Sequence, residues 1–97
     1  MNEREALAAI AELIGLGAWE FTKSARVGMR AHDIVSSEVL EALSKVTTLR
    51  RQAKSDTWTT DALDSGDRPI RIVIAGLVLS IRIVSAHLII ERGAPRK

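Results

Sequence analysis

In the first half of the chain, apolar residues recur at three- and four-residue spacing, a pattern typical of helices packed on one side. Three helices are predicted, over residues of about 3–14, 23–31 and 36–46. Asn2 can cap the first helix, with Glu5 three residues later as the returning half of a capping box. Ser36 or Ser37 can cap the third helix.

The second half of the chain changes to period-2 alternation, in which Ile70, Ile72 and Ile74 are separated by Arg71 and Val73. Such alternation with many β-branched residues indicates antiparallel strands. Strands are predicted over residues of about 57–61, 69–75 and 77–90, with a turn near residues 75–76. We therefore expect one α+β domain over residues 1–97, with two to three N-terminal helices packed on one face of a small antiparallel sheet of about three strands.

Residues 70–90 also permit a second interpretation, because 21 mostly apolar residues are long enough to cross a membrane. Arg82 would then lie near the centre of the bilayer, at a cost of roughly 2.5–3.5 kcal/mol. Alternation has no purpose in a helix that faces lipid, so the strands are favoured. A small membrane-associated protein anchored by 70–90 remains a further alternative.

Composition excludes several functional classes. The chain has no cysteine, which excludes a disulfide framework, a thiolate metal site and a thiol nucleophile. No metal-ligand spacing or cofactor-binding motif is found, so neither a metal nor a cofactor is predicted. The first residues are acidic where a secretory signal would be basic, which favours a cytoplasmic protein.

The net charge of +2 is unevenly distributed along the chain. Residues 45–54 contain four basic and no acidic residues, whereas residues 55–67 contain four acidic and no basic ones. Such segregation indicates a side that faces a polyanion such as RNA, with Arg50, Arg51 and Lys54 as the candidate binding residues. Alternatively, these cations complement the negative end of the preceding helix dipole.

Two arginines are outliers inside the apolar strands, Arg71 and Arg82, and His87 follows them. On the sheet face opposite the helices, the arginines would bind phosphates through charge-assisted hydrogen bonds. His87 could act there as a general acid or base near neutral pH. Alternatively, all three are solvent-side residues of a half-covered antiparallel sheet.

Four features of the chain point to a resemblance with known proteins. They are the segment Phe21-Thr22-Lys23-Ser24-Ala25, the apolar spacing of Met29, Ile34, Val39 and Leu43, the strand residue Trp58, and the segment Ile81-Arg82-Ile83-Val84-Ser85-Ala86-His87. In these features, and in the order of helices, basic loop and terminal sheet, nearly the whole chain resembles the small bacterial toxins of the RelE superfamily, in particular the MqsR and BrnT families.

The resemblance implies a metal-independent messenger-RNA endonuclease that is silenced by an antitoxin. It places His87, Arg82 and Arg71 in the catalytic set and Lys54 in an RNA-binding loop. The chain departs from the family pattern, since it has no tyrosine and Pro69 occupies the position of the strand tyrosine. Ser24, Gly28 and His32 replace further residues of the family pattern.

A second function stays open beside the ribonuclease. The chain could be a non-catalytic interaction or regulatory module that binds a protein partner, or a second copy of itself, through its sheet edge or first helix. The partners expected are therefore RNA and an antitoxin or other protein, including a homodimer, with a membrane not favoured.

Overall fold

The computed structural model describes residues 2–64 and 66–89, and the elements formed by these residues define an α+β fold. Along the chain they are α1 (Glu3–Gly15), β1 (Trp19–Phe21), α2 (Lys23–Ala31), α3 (Ser36–Ser44), β2 (Arg50–Gln52), β3 (Thr57–Leu63), β4 (Pro69–Gly76) and β5 (Ile81–Leu88). The α+β class is confirmed. The expectation of about three strands was too low, because β1 and β2 have three residues each and are too short to show an alternating pattern.

The five strands form one mixed sheet in the order β1-β5-β4-β3-β2. Neighbours are antiparallel except for β1, which runs parallel to β5 and pairs Trp19 with Ile81 and Phe21 with Ile83. The expected antiparallel sheet is therefore present from β5 to β2, and the parallel pair is an addition to it. The first and last strands of that order form the two edges of the sheet.

The alternating isoleucines of β4 and β5 cover one face of the sheet, and the helices pack on them. The fully buried residues on that face are Ile70, Ile72, Ile74, Ile81 and Ile83, each with 0% exposure. Ile10 of α1 and Leu43 of α3 complete the same core at 1% exposure. Burying one such side chain stabilises the fold by about 1.5–3 kcal/mol.

The helix caps agree with the sequence pattern at α1 and differ at α3. Asn2 and Glu5 form the expected capping box, with Asn2 Oδ1 accepting from the Glu5 amide at 2.8 Å. At α3 the expectation of a serine cap was wrong, since Val35 holds the cap position in an extended conformation and Ser36 is already helical. The Val35 amide donates to Glu38 Oε1 at 3.4 Å instead. The helix ends at Ser44, two residues before its predicted end at residue 46.

The connection between β4 and β5 is longer than the sequence pattern predicted. Gly76 and Leu77 both adopt positive φ angles, 96° and 44°, which turns the chain away from the strand direction. Residues 77–80 are therefore not part of a strand, contrary to the predicted strand over residues 77–90. The end of that predicted strand at Ile90 lies outside the described residues.

A β-bulge in β5 resets the alternation of its side chains. Ile74 pairs with Ile83 and Val73 pairs with Ser85, so Val84 is an extra residue on β5. After the bulge, Ala86 returns to the buried side at 1% exposure. Odd-numbered residues of β5 therefore face the core before Val84, and even-numbered residues face it after Val84.

Helix α2 covers the part of the β5 edge that β1 does not reach. The Thr22 hydroxyl donates to the Val84 carbonyl at 3.0 Å, and the Leu88 amide donates to His32 Nδ1 at 2.8 Å. The length of α2 matches that of the β5 segment from Val84 to Leu88, since nine helical residues rise about 13 Å and four strand residues span about 13 Å. At Gly28 a Cβ would lie 3.3 Å from the Ala86 carbonyl oxygen, so a residue without a side chain permits the close approach.

The residues suggested as a membrane anchor form β4 and β5 as far as Leu88. Over the described ranges, none of the helices has the length and apolar character needed to cross a membrane.

Candidate functional site

One face of the sheet carries the charged side chains and lies opposite the isoleucine core. We call it the outer face. Arg71 occupies the middle of one row across it, directly opposite Asp61 of β3 on one side and His87 of β5 on the other. The structure therefore brings together Arg71 and His87, two of the residues that the sequence predicted to act together.

Asp61 links this row to β2. Its carboxylate accepts from Arg71 Nε at 2.9 Å and Nη2 at 3.2 Å, and from the two terminal nitrogens of Arg50 at 3.4 and 3.5 Å. The hydrogen bond from Arg71, together with the charge of Arg50, holds the pKa of Asp61 below its usual value despite partial desolvation. In return, Asp61 raises the pKa of Arg71, which stays positively charged. Two cations thus share one carboxylate, and the cluster has an excess of positive charge.

Arg82 lies on the outer face but at a separate place. It pairs with Ala75 of β4 and Glu20 of β1 rather than with Arg71. Its Nε donates to Glu20 Oε2 at 3.3 Å, and both side chains are more than half exposed. The predicted association of Arg82 with His87 and Arg71 is therefore not found, since four residues of β5 lie between Arg82 and His87.

The predicted RNA-binding residues of the basic segment also separate. Arg50 belongs to the outer face through Asp61. Arg51 stands opposite Trp58 in the β2–β3 register, donates to Asp56 at 2.6 Å, and lies 5.6 Å from the centre of the Trp58 ring. Lys54 lies in the turn after β2 and forms no ion pair within residues 2–64 and 66–89.

A second histidine lies beside His87. The ring centres of His32 and His87 are 6.3 Å apart, at an interplanar angle of 77°. Because His32 Nδ1 accepts from the Leu88 amide, Nε2 is the ring nitrogen that can donate a hydrogen bond. Sequence reasoning missed this neighbour, because 55 positions separate the two histidines and no local spacing connects them.

A buried carboxylate holds the chain that presents His32. Asp64, whose side chain is 0% exposed, accepts from Arg68 Nε at 2.6 Å and from the Gly66 and Arg68 amides at 2.9 and 2.8 Å. Burial works toward a higher pKa, but these hydrogen bonds outweigh it and leave the pKa of Asp64 below its usual value. The Arg68 guanidinium then donates to the carbonyls of His32 and Asp33 at 3.1 and 2.9 Å. This clamp fixes the end of α2 against the β3–β4 loop.

Helix α2 presents a basic surface that the sequence analysis did not single out. Lys23, Arg26 and Arg30 lie on one side of the helix and form no ion pair within the described part of the chain. The outer-face arginines, in contrast, are all paired with carboxylates. A helical plot of α2 shows the signal, since these three residues fall within about 60° of one another at 100° per residue.

Comparisons of this chain with protein families, with curated proteins and with solved structures give no match. The similarity to RelE-superfamily toxins therefore rests on the short segments quoted above.

Proposed function

We propose that this chain binds RNA and cleaves it without a metal ion, at the row of the outer face that contains Arg71 and His87. The observation that supports this proposal is the adjacency of His87 to Arg71 on a sheet face that the helices do not cover, with His32 at 6.3 Å. An imidazole beside a fixed cation supplies a general base for the 2′-hydroxyl and a positive charge for the phosphate, and both accelerate phosphodiester cleavage.

In the proposed reaction, neutral His87 takes the proton of a ribose 2′-hydroxyl. The 2′-oxygen forms a bond to phosphorus, the bond from phosphorus to the 5′-oxygen breaks, and water protonates the leaving 5′-oxygen. The products are a 2′,3′-cyclic phosphate and a 5′-hydroxyl. A positioned general base of this kind contributes about 10²–10⁴-fold to the rate.

Arg71 is suited to bind the phosphate during this step. Its Nε and Nη2 donate to Asp61, and Nη1 has no acceptor within residues 2–64 and 66–89, so it can donate to a phosphoryl oxygen. The side chain is 41% exposed, and Asp61 fixes its orientation. His32 adds an Nε2–H donor to the same end of the sheet, so the negative charge that develops on the phosphoryl oxygens meets donors that are already in place.

Purified protein and a single-stranded RNA oligonucleotide in excess EDTA provide the test. We expect cleavage that yields 2′,3′-cyclic phosphate ends and does not occur on the 2′-deoxy oligonucleotide. His87→Ala should lower the rate by about 10²-fold or more. Arg71→Gln and Arg82→Gln form a matched pair, because each removes one outer-face arginine that is paired with a carboxylate.

We expect the rate to fall at least about tenfold in Arg71→Gln and to change less than about threefold in Arg82→Gln, since Arg82 lies away from His87. Equal losses in both variants would contradict the assignment of the site. An intact oligonucleotide with folded wild-type protein would contradict the ribonuclease proposal itself.

One observation favours the second candidate, a non-catalytic interaction module. β1 is an edge strand of three residues. Exposed apolar side chains lie at the end of the sheet where β1 begins. These side chains are Leu16, Trp19, Val78 and Leu79, with exposures of 71%, 37%, 78% and 85%. Absence of RNA cleavage together with a dimeric mass in light scattering would favour this function, and a monomer would count against it.

A further inference from the structure

A groove lies between the β1 edge of the sheet, helix α2 and the segment that leads into α3. Its volume is about 520 Å³, which is within the range of sites for small organic ligands. Trp19, Phe21, Met29 and Ile34 supply an apolar lining, and Arg26 and Arg30 line it from α2. We call it the α2 groove.

The charge of the α2 groove comes from arginines that are not neutralised within the structure. Arg26 and Arg30 lie one helical turn apart on the same side of α2, and neither forms an ion pair with a carboxylate in residues 2–64 and 66–89. Asp33 also lines the groove, so two guanidinium groups face one carboxylate. Two unpaired guanidinium groups at this spacing are suited to an anion with several oxygens, such as a phosphate.

The aromatic part of the groove offers a fixed face for stacking. Trp19 is 37% exposed, although most tryptophans are far more buried. The Phe21 ring meets it edge-on, with ring centres 5.9 Å apart at an angle of 79°. This contact holds the indole in place, so a planar ring could stack on Trp19 without the entropy loss of ordering it first.

We infer that the α2 groove binds one nucleotide of a single RNA strand, with the base stacked on Trp19 and a phosphate bound by Arg26 and Arg30. Stacking on an aromatic ring next to cationic contacts to phosphate is how proteins bind unpaired bases. The carboxylate of Asp33 is placed to accept from a base amino group or a ribose hydroxyl. The choice of RNA as the polymer rests on the proposed function, whereas recognition of a nucleotide rests on the groove alone.

The two tryptophans of the chain make this inference measurable, because the ¹⁵N-labelled protein gives two indole signals, one from Trp19 and one from Trp58. Trp58 is 8% exposed and lies outside the groove, so it serves as an internal reference. Trp19→Phe assigns the signals. The probes are adenosine monophosphate, uridine monophosphate, adenosine and inorganic phosphate, each titrated into the full chain.

We expect both nucleotides to shift the Trp19 signal and leave the Trp58 signal unchanged, with adenosine and phosphate each binding more weakly than adenosine monophosphate. Arg26→Gln and Arg30→Gln should each weaken nucleotide binding about tenfold or more, since each removes a charge-assisted contact. Trp19→Leu should weaken it at least about fivefold.

Lys23→Gln is the matched control, because it removes one unpaired positive charge from the same face of α2 but not from the groove. We expect it to change the affinity less than about twofold. A Lys23→Gln loss equal to that of Arg26→Gln would overturn the inference, as would a Trp19 signal that no nucleotide moves. Phosphate that binds as tightly as adenosine monophosphate would overturn the assignment of a nucleotide.

The two proposals fail separately. His87→Ala should leave nucleotide binding in the groove unchanged while it slows RNA cleavage by about 10²-fold or more. Nucleotide binding without any RNA cleavage by the wild-type protein would contradict the proposed function and support the groove. Cleavage with no response at Trp19 would contradict the groove and support the proposed function.

Discussion

The hydroxyl of Thr22 connects α2 to the part of β5 that β1 does not reach, and its removal is the sharpest test of this arrangement. The oxygen accepts from the Ala25 amide at 3.1 Å as the cap of α2, and its proton goes to the Val84 carbonyl at 3.0 Å. Thr22→Val keeps the shape of the side chain and deletes both hydrogen bonds. Thr22→Ser keeps the hydroxyl and deletes one methyl group.

The two lost bonds set the size of the effect. Loss of a helix cap costs about 0.5–2 kcal/mol, and loss of the bond to the Val84 carbonyl costs about 0.5–1.5 kcal/mol. We therefore expect Thr22→Val to lower the free energy of unfolding by about 2 kcal/mol, which corresponds to roughly 8–16 °C in Tm for a chain of this length. Thr22→Ser should cost less than about 1 kcal/mol.

Urea unfolding followed by tryptophan fluorescence measures the stability, and hydrogen exchange measures the local effect. The Ala25 amide should exchange faster in Thr22→Val than in Thr22→Ser, because its acceptor is gone. Thr47→Val, at an exposed threonine, is a control that should stay within about 0.5 kcal/mol of wild type. If Thr22→Val were no less stable than Thr22→Ser, the described role of α2 as the cover of the β5 edge would be refuted.

Two further predictions concern stability. Because the folded state lowers the pKa of both Asp61 and Asp64, their stabilising effect is complete above their unfolded pKa of about 3.9 and is lost as the pH falls through the lower folded value. The urea midpoint should therefore drop below about pH 4, less steeply in Asp61→Asn, and a midpoint that does not change with acid would contradict this. Gly76→Ala should cost about 1–3 kcal/mol, because φ is 96° and the new Cβ would lie 2.9 Å from the Ser80 carbonyl oxygen. Gly15→Ala meets nothing within 4 Å and should be neutral or stabilising, and urea unfolding measures both glycine variants.

Much of the fold could be predicted because the core alternates clearly. The isoleucines of β4 identify its buried face, and Arg71 therefore lies on the opposite one. The capping box at Asn2 could also be predicted, since all its parts lie within four residues of the sequence. The interactions that produce such local patterns lie within a few residues of one another, so the patterns persist in the folded chain.

The arrangement of the candidate site could not be predicted, because it depends on pairings between distant residues. Strict alternation would place Arg82 and His87, five positions apart, on opposite faces. The bulge at Val84 returns both to the same face. No local signal in the sequence marks that bulge.

The ion pairs were hidden for a related reason. Whether Arg82 is free or bound depends on Glu20, and that contact exists only because β1 lies parallel to β5 as an additional edge strand. The same holds for His32, which approaches His87 through the packing of α2 along β5.

The most direct test of the proposed function is the single-turnover rate of RNA cleavage in excess EDTA, compared between the wild-type chain and His87→Ala. The proposal predicts that the wild type forms 2′,3′-cyclic phosphate ends and that His87→Ala does so about 10²-fold or more slowly, with unchanged folding by circular dichroism. Equal rates for the two proteins, or an oligonucleotide that stays intact with both, would contradict it.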